Sequence, residues 1–133
     1  MVVIELPWPP SVNAYWRSVV IGRQPRVLIS EEGRNYRKAV AQAFMLQRIG
    51  SIGTARCAVD IEVRKPDNRR RDVDNLPKAI LDSLTHAGLW DDDSQIDDLR
   101  IWRSDRKGGV VIVRVRELSL PQGCLVTEDE YAF

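Results

Sequence analysis

Residues 69–78 limit the possible folds of this chain more than any other segment does. They contain three arginines, two aspartates one residue apart, an asparagine and a lysine. A hydrophobic core does not accept so many charges, so the segment must lie at the surface, beginning in a loop and ending inside a helix. Carboxylates hold divalent cations and arginines attract phosphate, so the segment indicates a site for a metal ion and an anionic substrate.

The distribution of charge supports this interpretation better than the net charge does. The chain has 133 residues, enough for one domain with a modest core, and its net charge is only +1. Residues 64–71 carry five cations and one anion, whereas residues 91–98 carry five aspartates and no cation. Both blocks adjoin the ends of one predicted helix, so folding can bring them near each other.

The composition excludes several classes of protein. No apolar run approaches the roughly 18 residues that cross a bilayer, and the N-terminus lacks the features of a signal peptide. We therefore expect a cytoplasmic protein without a membrane partner. The two cysteines have no zinc-binding spacing. Residues 1–120 are predicted to form the domain and residues 121–133 a tail to which no function is assigned.

Hydrophobic periodicity predicts a single small α+β domain with the element order β-α-β-α-β-β, in which one mixed sheet carries two helices. The last two strands are expected to form an antiparallel hairpin. Residues 19–28 leave two alternatives, a hairpin or an ordered loop. The predicted strands are 2–6, 55–65, 96–105 and 110–118, and the predicted helices are 30–49 and 74–87.

Particular residues predict where the helices begin and end. Ser30 and Asp74 are candidate N-caps, and the second of these would put Pro77 at the third helical position. Gly88 is expected to end the second helix in a left-handed conformation.

The carboxylates of the central segment can converge with its lysine. Asp72 and Asp74 are alternate residues, so an extended chain entering the helix projects both to one side. Lys78 follows Asp74 by one helical turn. Lys78 is either a partner in a surface ion pair with Asp74 or Asp82, or a cation that stabilises negative charge developing on phosphate.

A third metal ligand is expected from the acidic loop after the helix. A helix over residues 74–87 is roughly 20 Å long, so the chain must travel back before Asp93 can meet Asp72. A partner subunit could also supply this contact.

The chain resembles the RusA family of Holliday junction resolvases, and the resemblance spans nearly the whole sequence to about residue 118. The motifs that carry it are LPWPPSVNAY (6–15), SEEG (30–33), YR (36–37), PD (66–67), RRRDVDNLPK (69–78), AGLW (87–90), DD (92–93) with Gln95, and KGG (107–109). The resemblance implies a homodimeric, Mg²⁺-dependent endonuclease, often carried by a phage or prophage, for which Mn²⁺ is a substitute metal.

The resemblance also implies roles for individual residues. The metal ligands would be Asp72, Asp74 and Asp93, and Lys78 would be the essential lysine, so that these four are the catalytic set. The predicted DNA-binding residues are Ser11, Asn13, Tyr15, Arg69, Arg70, Arg71 and Asn75. Asp92 is an alternative to Asp93, because the loop carries three consecutive aspartates.

Three functions compete. The first is an endonuclease that nicks two opposed strands of a four-way DNA junction. The second is a junction-binding or architectural protein without catalysis. The third is a phosphatase with an aspartyl nucleophile, which usually has an apolar strand running directly into the DxD motif, where this chain has arginines.

Overall fold

The computed structural model describes residues 1–118, which form a four-stranded sheet with helices packed on it and a separate two-stranded hairpin. The α-helices and strands are β1 (Val2–Pro7), α1 (Val12–Tyr15), β2 (Trp16–Ile21), β3 (Gln24–Ile29), α2 (Glu31–Leu46), β4 (Cys57–Arg64), α3 (Pro77–Ala87), β5 (Ile96–Arg103) and β6 (Val110–Glu117). Single 3₁₀ turns span Val73–Asn75 and Asp93–Gln95. The predicted tail lies outside the described residues.

The large sheet has the strand order β1-β6-β4-β5. β4 is parallel to β5, whereas β6 is antiparallel to both β1 and β4. The predicted class, α+β with a mixed sheet, is therefore confirmed. The prediction that β5 and β6 form a hairpin is wrong, because β4 lies between them. The crossover through α3 brings β5 back parallel to β4 on one edge, so β6 pairs with the other edge of β4.

The core lies between the sheet and the helices α2 and α3. Val59, Ile61 and Val63 of β4 are buried, as their alternation predicts. Val40 of α2 and Leu84 of α3 are fully buried in the same cluster. Each such side chain contributes about 1.5–3 kcal/mol by leaving water, so this core holds α2 and α3 against the sheet.

The structure confirms two predicted helix boundaries and corrects a third. The Ser30 hydroxyl accepts a hydrogen bond from the Gly33 amide at 3.0 Å, and Gly88 ends α3 with φ 98°. Asp74 is not the N-cap of α3, because it lies in the preceding 3₁₀ turn, and Pro77 is the first residue of the helix. Proline suits that position because its fixed φ is helical and no amide donor is needed there.

The predicted order omits two elements, the short helix α1 and the hairpin β2–β3. The hairpin strands pair only with each other, so they form a second sheet. Residues 19–28 thus adopt the hairpin alternative, around a turn in which Gly22 has φ 65°. Within residues 1–118, no helix combines the length and the apolar character that spanning a membrane requires.

Candidate active site

Hydrogen bonds to Asp67 stabilise the arginine-rich loop after β4. Its carboxylate accepts the Arg69 amide at 2.9 Å and two guanidinium contacts from Arg71, at 2.6 and 3.2 Å. The hydrogen bond from Arg71 is the main reason that the pKa of Asp67 falls to about 2. Asp67 is not among the residues predicted for the site, although its spacing of four residues from Arg71, across a turn, is a signal of this ion pair. The loop is consequently held in one shape while Arg69 remains 84% exposed.

This loop meets the segment that precedes α1. The Arg71 guanidinium lies 5.5 Å from the centroid of the Trp8 ring, a cation–π contact. The two segments line the sides of a cavity of about 310 Å³ that is open to solvent. It is lined by Trp8, Pro9, Ser11, Arg70, Arg71, Asp72, Asn75 and Leu76. Four predicted DNA-binding residues and one predicted metal ligand therefore share one concave surface, although they come from segments about 60 residues apart in the chain.

Asp72, Asp74 and Lys78 are exposed around the N-terminus of α3. Asp72 has an extended backbone, with φ −88° and ψ 127°, and Asp74 follows within the 3₁₀ turn. Asp82 does not pair with Lys78, because its carboxylate accepts a hydrogen bond from Arg37 at 2.6 Å. The partial positive charge of a helix N-terminus favours anions, so carboxylates or phosphate are stabilised here.

Asp93 lies at the other end of the crossover. The register pairs Cys57 with Ile96 at the start of the two parallel strands, and Asp93 lies just before Ile96. The loop containing Asp72 follows the far end of β4. The eleven residues of α3, about 16 Å of helix, separate the two aspartates. Within residues 1–118, no three His, Cys, Asp or Glu side chains form a group able to hold a metal ion.

The loop that carries Asp93 is shaped by the buried amide of Gln95. Its Oε1 accepts the backbone amides of Asp91 and Asp92 at 3.0 and 2.9 Å. Its Nε2 donates to the carbonyls of Gly53 and Ala55, both at 2.8 Å. The amide thus makes all four of its hydrogen bonds and ties the acidic loop to the segment before β4.

The Asp92 carboxylate, the alternative to Asp93 as a metal ligand, has a hydrogen-bond partner within its own loop. The Ser94 hydroxyl donates to the Asp92 carboxylate at 2.6 Å. That hydrogen bond is the main cause of the lowered pKa of Asp92. One oxygen of the Asp92 carboxylate therefore already has a partner within the loop, and among the described residues the Asp93 carboxylate has no such partner.

The prediction that Tyr15 contacts DNA is wrong in this structure, because its side chain is 0% exposed. The Tyr15 hydroxyl donates to Asp82 and accepts from Arg37 Nε at 2.9 Å. Burial is the first cause of its raised pKa. Tyr15 therefore joins α1 to α2 and α3, whereas Ser11 and Asn13 of the same segment are exposed.

Comparisons with known proteins show which family the sequence is similar to. Residues 7–116 match the family described as Endodeoxyribonuclease RusA. The chain is 40% identical over 114 residues to the crossover junction endodeoxyribonuclease rusA of Enterobacteria phage HK97, covering 85% of this chain and 92% of the relative. Identity is 42% over 117 residues to the crossover junction endodeoxyribonuclease RusA of Escherichia coli strain K12, covering 86% and 93%. It is 43% over 117 residues, with the same coverage, to that of Enterobacteria phage 82.

The matched region includes the arginine-rich loop, both predicted groups of aspartates and all of the described elements except most of β1 and the last residue of β6. The chain therefore belongs to the RusA family of endodeoxyribonucleases.

Proposed function

We propose that this chain is a crossover junction endodeoxyribonuclease that resolves four-way Holliday junctions by paired, symmetric nicks during DNA recombination and repair. The observation that carries the proposal is the concave surface on which Arg70, Arg71 and Asn75 adjoin Asp72. Family membership makes hydrolysis of DNA the preferred reaction. Two of the similar proteins named above come from phages, which favours a phage or prophage origin. The cytoplasmic location stays a prediction.

The carboxylates on and beside the concave surface fit a hard divalent cation. Asp72 and Asp74 offer exposed carboxylate oxygens within one turn, and Mg²⁺ typically takes one or two carboxylates while retaining waters and phosphate oxygens as its other ligands. We propose that these two residues hold Mg²⁺, or Mn²⁺ in its place, together with Asp93. The bound ion would supply Lewis acidity to the phosphate and lower the pKa of a water molecule.

The other residues bind and orient the DNA backbone. Arg69, Arg70 and Arg71 contact phosphates, which fixes the position of the strand without reading its sequence. Asp67 and Trp8 hold Arg71 in advance, so little side-chain entropy is lost when phosphate binds. Lys78 stabilises the additional negative charge that develops on the phosphate during hydrolysis.

We propose that Asp93 reaches the site in a homodimer, from the second chain. The separation of Asp93 from Asp72 by the length of α3 supports assembly in trans. A symmetric dimer would then contain two sites, one for each of the two nicks.

Mixing two inactive variants tests this assembly. Asp74→Asn and Asp93→Asn are each expected to be inactive alone. If each site combines Asp74 of one chain with Asp93 of the other, the mixed dimer has one intact site and one with both substitutions, so the mixture regains cleavage of one strand. If both ligands came from the same chain, each site of the mixed dimer would keep one defect and the mixture would stay inactive.

A binding assay separates the nuclease from the non-catalytic binder. Asp74→Asn is expected to bind a labelled four-way junction as the wild type does and to lose Mg²⁺-dependent cleavage. Asp98→Asn, at an exposed carboxylate on β5, is the matched control and should cleave normally. Cleavage by Asp74→Asn at the wild-type rate would refute the assigned site, and stable retardation without product by the wild type would favour the architectural protein.

A further inference from the structure

The hairpin β2–β3 is not used by the proposed catalytic site. Its strands pair only with each other, through six residues on each side. All residues from Val20 to Val27 are exposed. They include three large apolar side chains, since Val20 is 71% exposed, Ile21 55% and Val27 65%. The hairpin therefore presents apolar surface that the described part of this chain does not cover.

The base of the hairpin is rigidly joined to the body. The Ser30 amide and hydroxyl both donate to the Tyr15 carbonyl, at 2.9 and 3.0 Å. Gly33 lies so close that a Cβ there would be 2.5 Å from the same carbonyl oxygen and 2.6 Å from the Ile29 side chain. Because Tyr15 also binds Asp82 of α3, the hairpin has a fixed direction relative to the proposed site.

The hairpin is uniformly cationic. Residues 16–30 contain three arginines, Arg17, Arg23 and Arg26, and no carboxylate. The register pairs Val19 with Arg26, and Arg17 lies two residues before Val19, so both arginines are on the same face. Arg23 lies in the turn at the tip. Cations and apolar side chains without an acidic residue match the phosphates and groove walls of a nucleic acid.

The hairpin also continues the surface on which the cleaved strand is proposed to bind. β2 begins directly after α1, and Ser11, the N-cap of α1, lines the cavity with Arg70 and Asp72. A two-stranded β-ribbon fits the major groove of duplex DNA. A duplex that leaves the cavity past α1 would therefore meet the hairpin next.

We propose that β2–β3 is a second DNA-binding element, which enters a groove of a duplex arm of the junction. Arg17, Arg23 and Arg26 bind the phosphates along the groove, and the exposed apolar side chains contact its walls. This inference rests on the proposed function, since it specifies how the substrate of the same site is held beyond the cleaved strand.

The test compares two doubly substituted chains. Arg23→Gln/Arg26→Gln removes two exposed cations from the hairpin. The control, Arg48→Gln/Arg116→Gln, removes one exposed cation from the turn after α2 and one from β6. Binding to a labelled four-way junction is measured without divalent metal over a range of salt concentrations. Losing two phosphate contacts should reduce the slope of log K against log salt by about 2 and weaken binding roughly 60-fold at about 0.1 M salt. The control should change the slope by well under one unit.

Two further measurements decide between explanations. Equal thermal stability of both variants and the wild type excludes misfolding, and sedimentation reports the oligomeric state. The proposal is overturned if the hairpin variant binds like the control, or if it becomes monomeric, because the hairpin would then contact a second copy of the chain. If the wild type does not cleave junctions but the hairpin variant still shows the reduced salt slope, the proposed nuclease activity is wrong. The proposal that the hairpin binds DNA would then still stand.

Discussion

The substitution Gln95→Glu should destabilise the acidic loop in a pH-dependent way. The new side chain has the same shape, so one oxygen can still accept the amides of Asp91 and Asp92. The other oxygen would face the carbonyls of Gly53 and Ala55, which now receive hydrogen bonds at 2.8 Å. An ionised carboxylate cannot donate to either carbonyl, so two hydrogen bonds are lost and three acceptor oxygens face one another.

The magnitude follows from these contacts. Gln95 is only 7% exposed, and each lost hydrogen bond costs about 1 kcal/mol, with a further penalty for each carbonyl left unsatisfied. The carbonyls belong to partly exposed residues, which places that penalty at the low end. We expect the free energy of unfolding at neutral pH to fall by about 2–4 kcal/mol. Cleavage should fall further, since the loop carries Asp93.

The pH dependence has a definite sign. Burial and the facing carbonyls raise the pKa of the introduced Glu above its ordinary value of about 4.3. Relative to the ionised form, the protonated form is therefore favoured in the folded chain, because it can donate to one carbonyl. This stabilisation is fully present below about pH 4.3 and is lost as the pH rises through the folded-state pKa. The loss is about 1.4 kcal/mol for each pH unit that separates the folded-state pKa from the unfolded-state pKa.

Urea denaturation of the variant and the wild type at several pH values between about 4 and 8 measures the difference. Gln47→Glu is the matched control. The Gln47 amide also binds a backbone on both sides, since it accepts from the Glu5 amide at 3.0 Å and donates to the Glu5 carbonyl at 2.7 Å. Unlike Gln95, however, Gln47 is exposed. Its cost should stay below about 1 kcal/mol. A cost for Gln95→Glu that is below about 0.5 kcal/mol, or that is independent of pH, would refute the assigned role of the amide.

Three other predictions concern stability. Gly33→Ala should lower the free energy of unfolding by about 1–3 kcal/mol, because the new Cβ would clash with the Tyr15 carbonyl. Gly50→Ala is the control and should be nearly neutral, because the space around Gly50 is open. Thermal melts of the two variants measure the difference. Hydrogen bonds from arginines, first among them Arg64, lower the pKa of Glu62 from 4.5 to about 2. The ionised form of Glu62 therefore stabilises the fold above about pH 4.5, and this stabilisation is lost as the pH falls towards 2. Glu62→Gln should thus be destabilised relative to the wild type at pH 5 by more than at pH 2.5, and an equal difference at both would contradict the assignment. A double-mutant cycle of Tyr15→Phe and Asp82→Asn should give a coupling energy of about 0.5–3 kcal/mol, and additivity would argue against their hydrogen bond.

The sequence predicted the main elements because their determinants are local. Alternation marked β4, Ser30 marked the start of α2, and Gly88 marked the end of α3. Strand pairing is not local, since a hairpin between β5 and β6 would satisfy the same alternation as the observed sheet. What excludes that hairpin is the crossover through α3, which places β5 parallel to β4.

The candidate site was predicted to the extent that it lies in one segment. Asp72, Asp74 and Lys78 are exposed together, as expected for a surface loop that enters a helix. Tyr15 was misassigned, because only the folded chain shows Asp82 and Arg37 beside its hydroxyl. The place of Asp93 likewise depends on which end of the sheet its loop reaches, and residue spacing does not determine that.

The position of Asp93 beyond the far end of α3 has a consequence for the control of cleavage. If the sites form only between chains, an isolated chain cannot cut DNA, and at low concentration the amount of active nuclease rises with the square of the amount of chain. A monomer would have no complete site and would not cut DNA. A dimer would have two complete sites, one for each of the strands that are nicked.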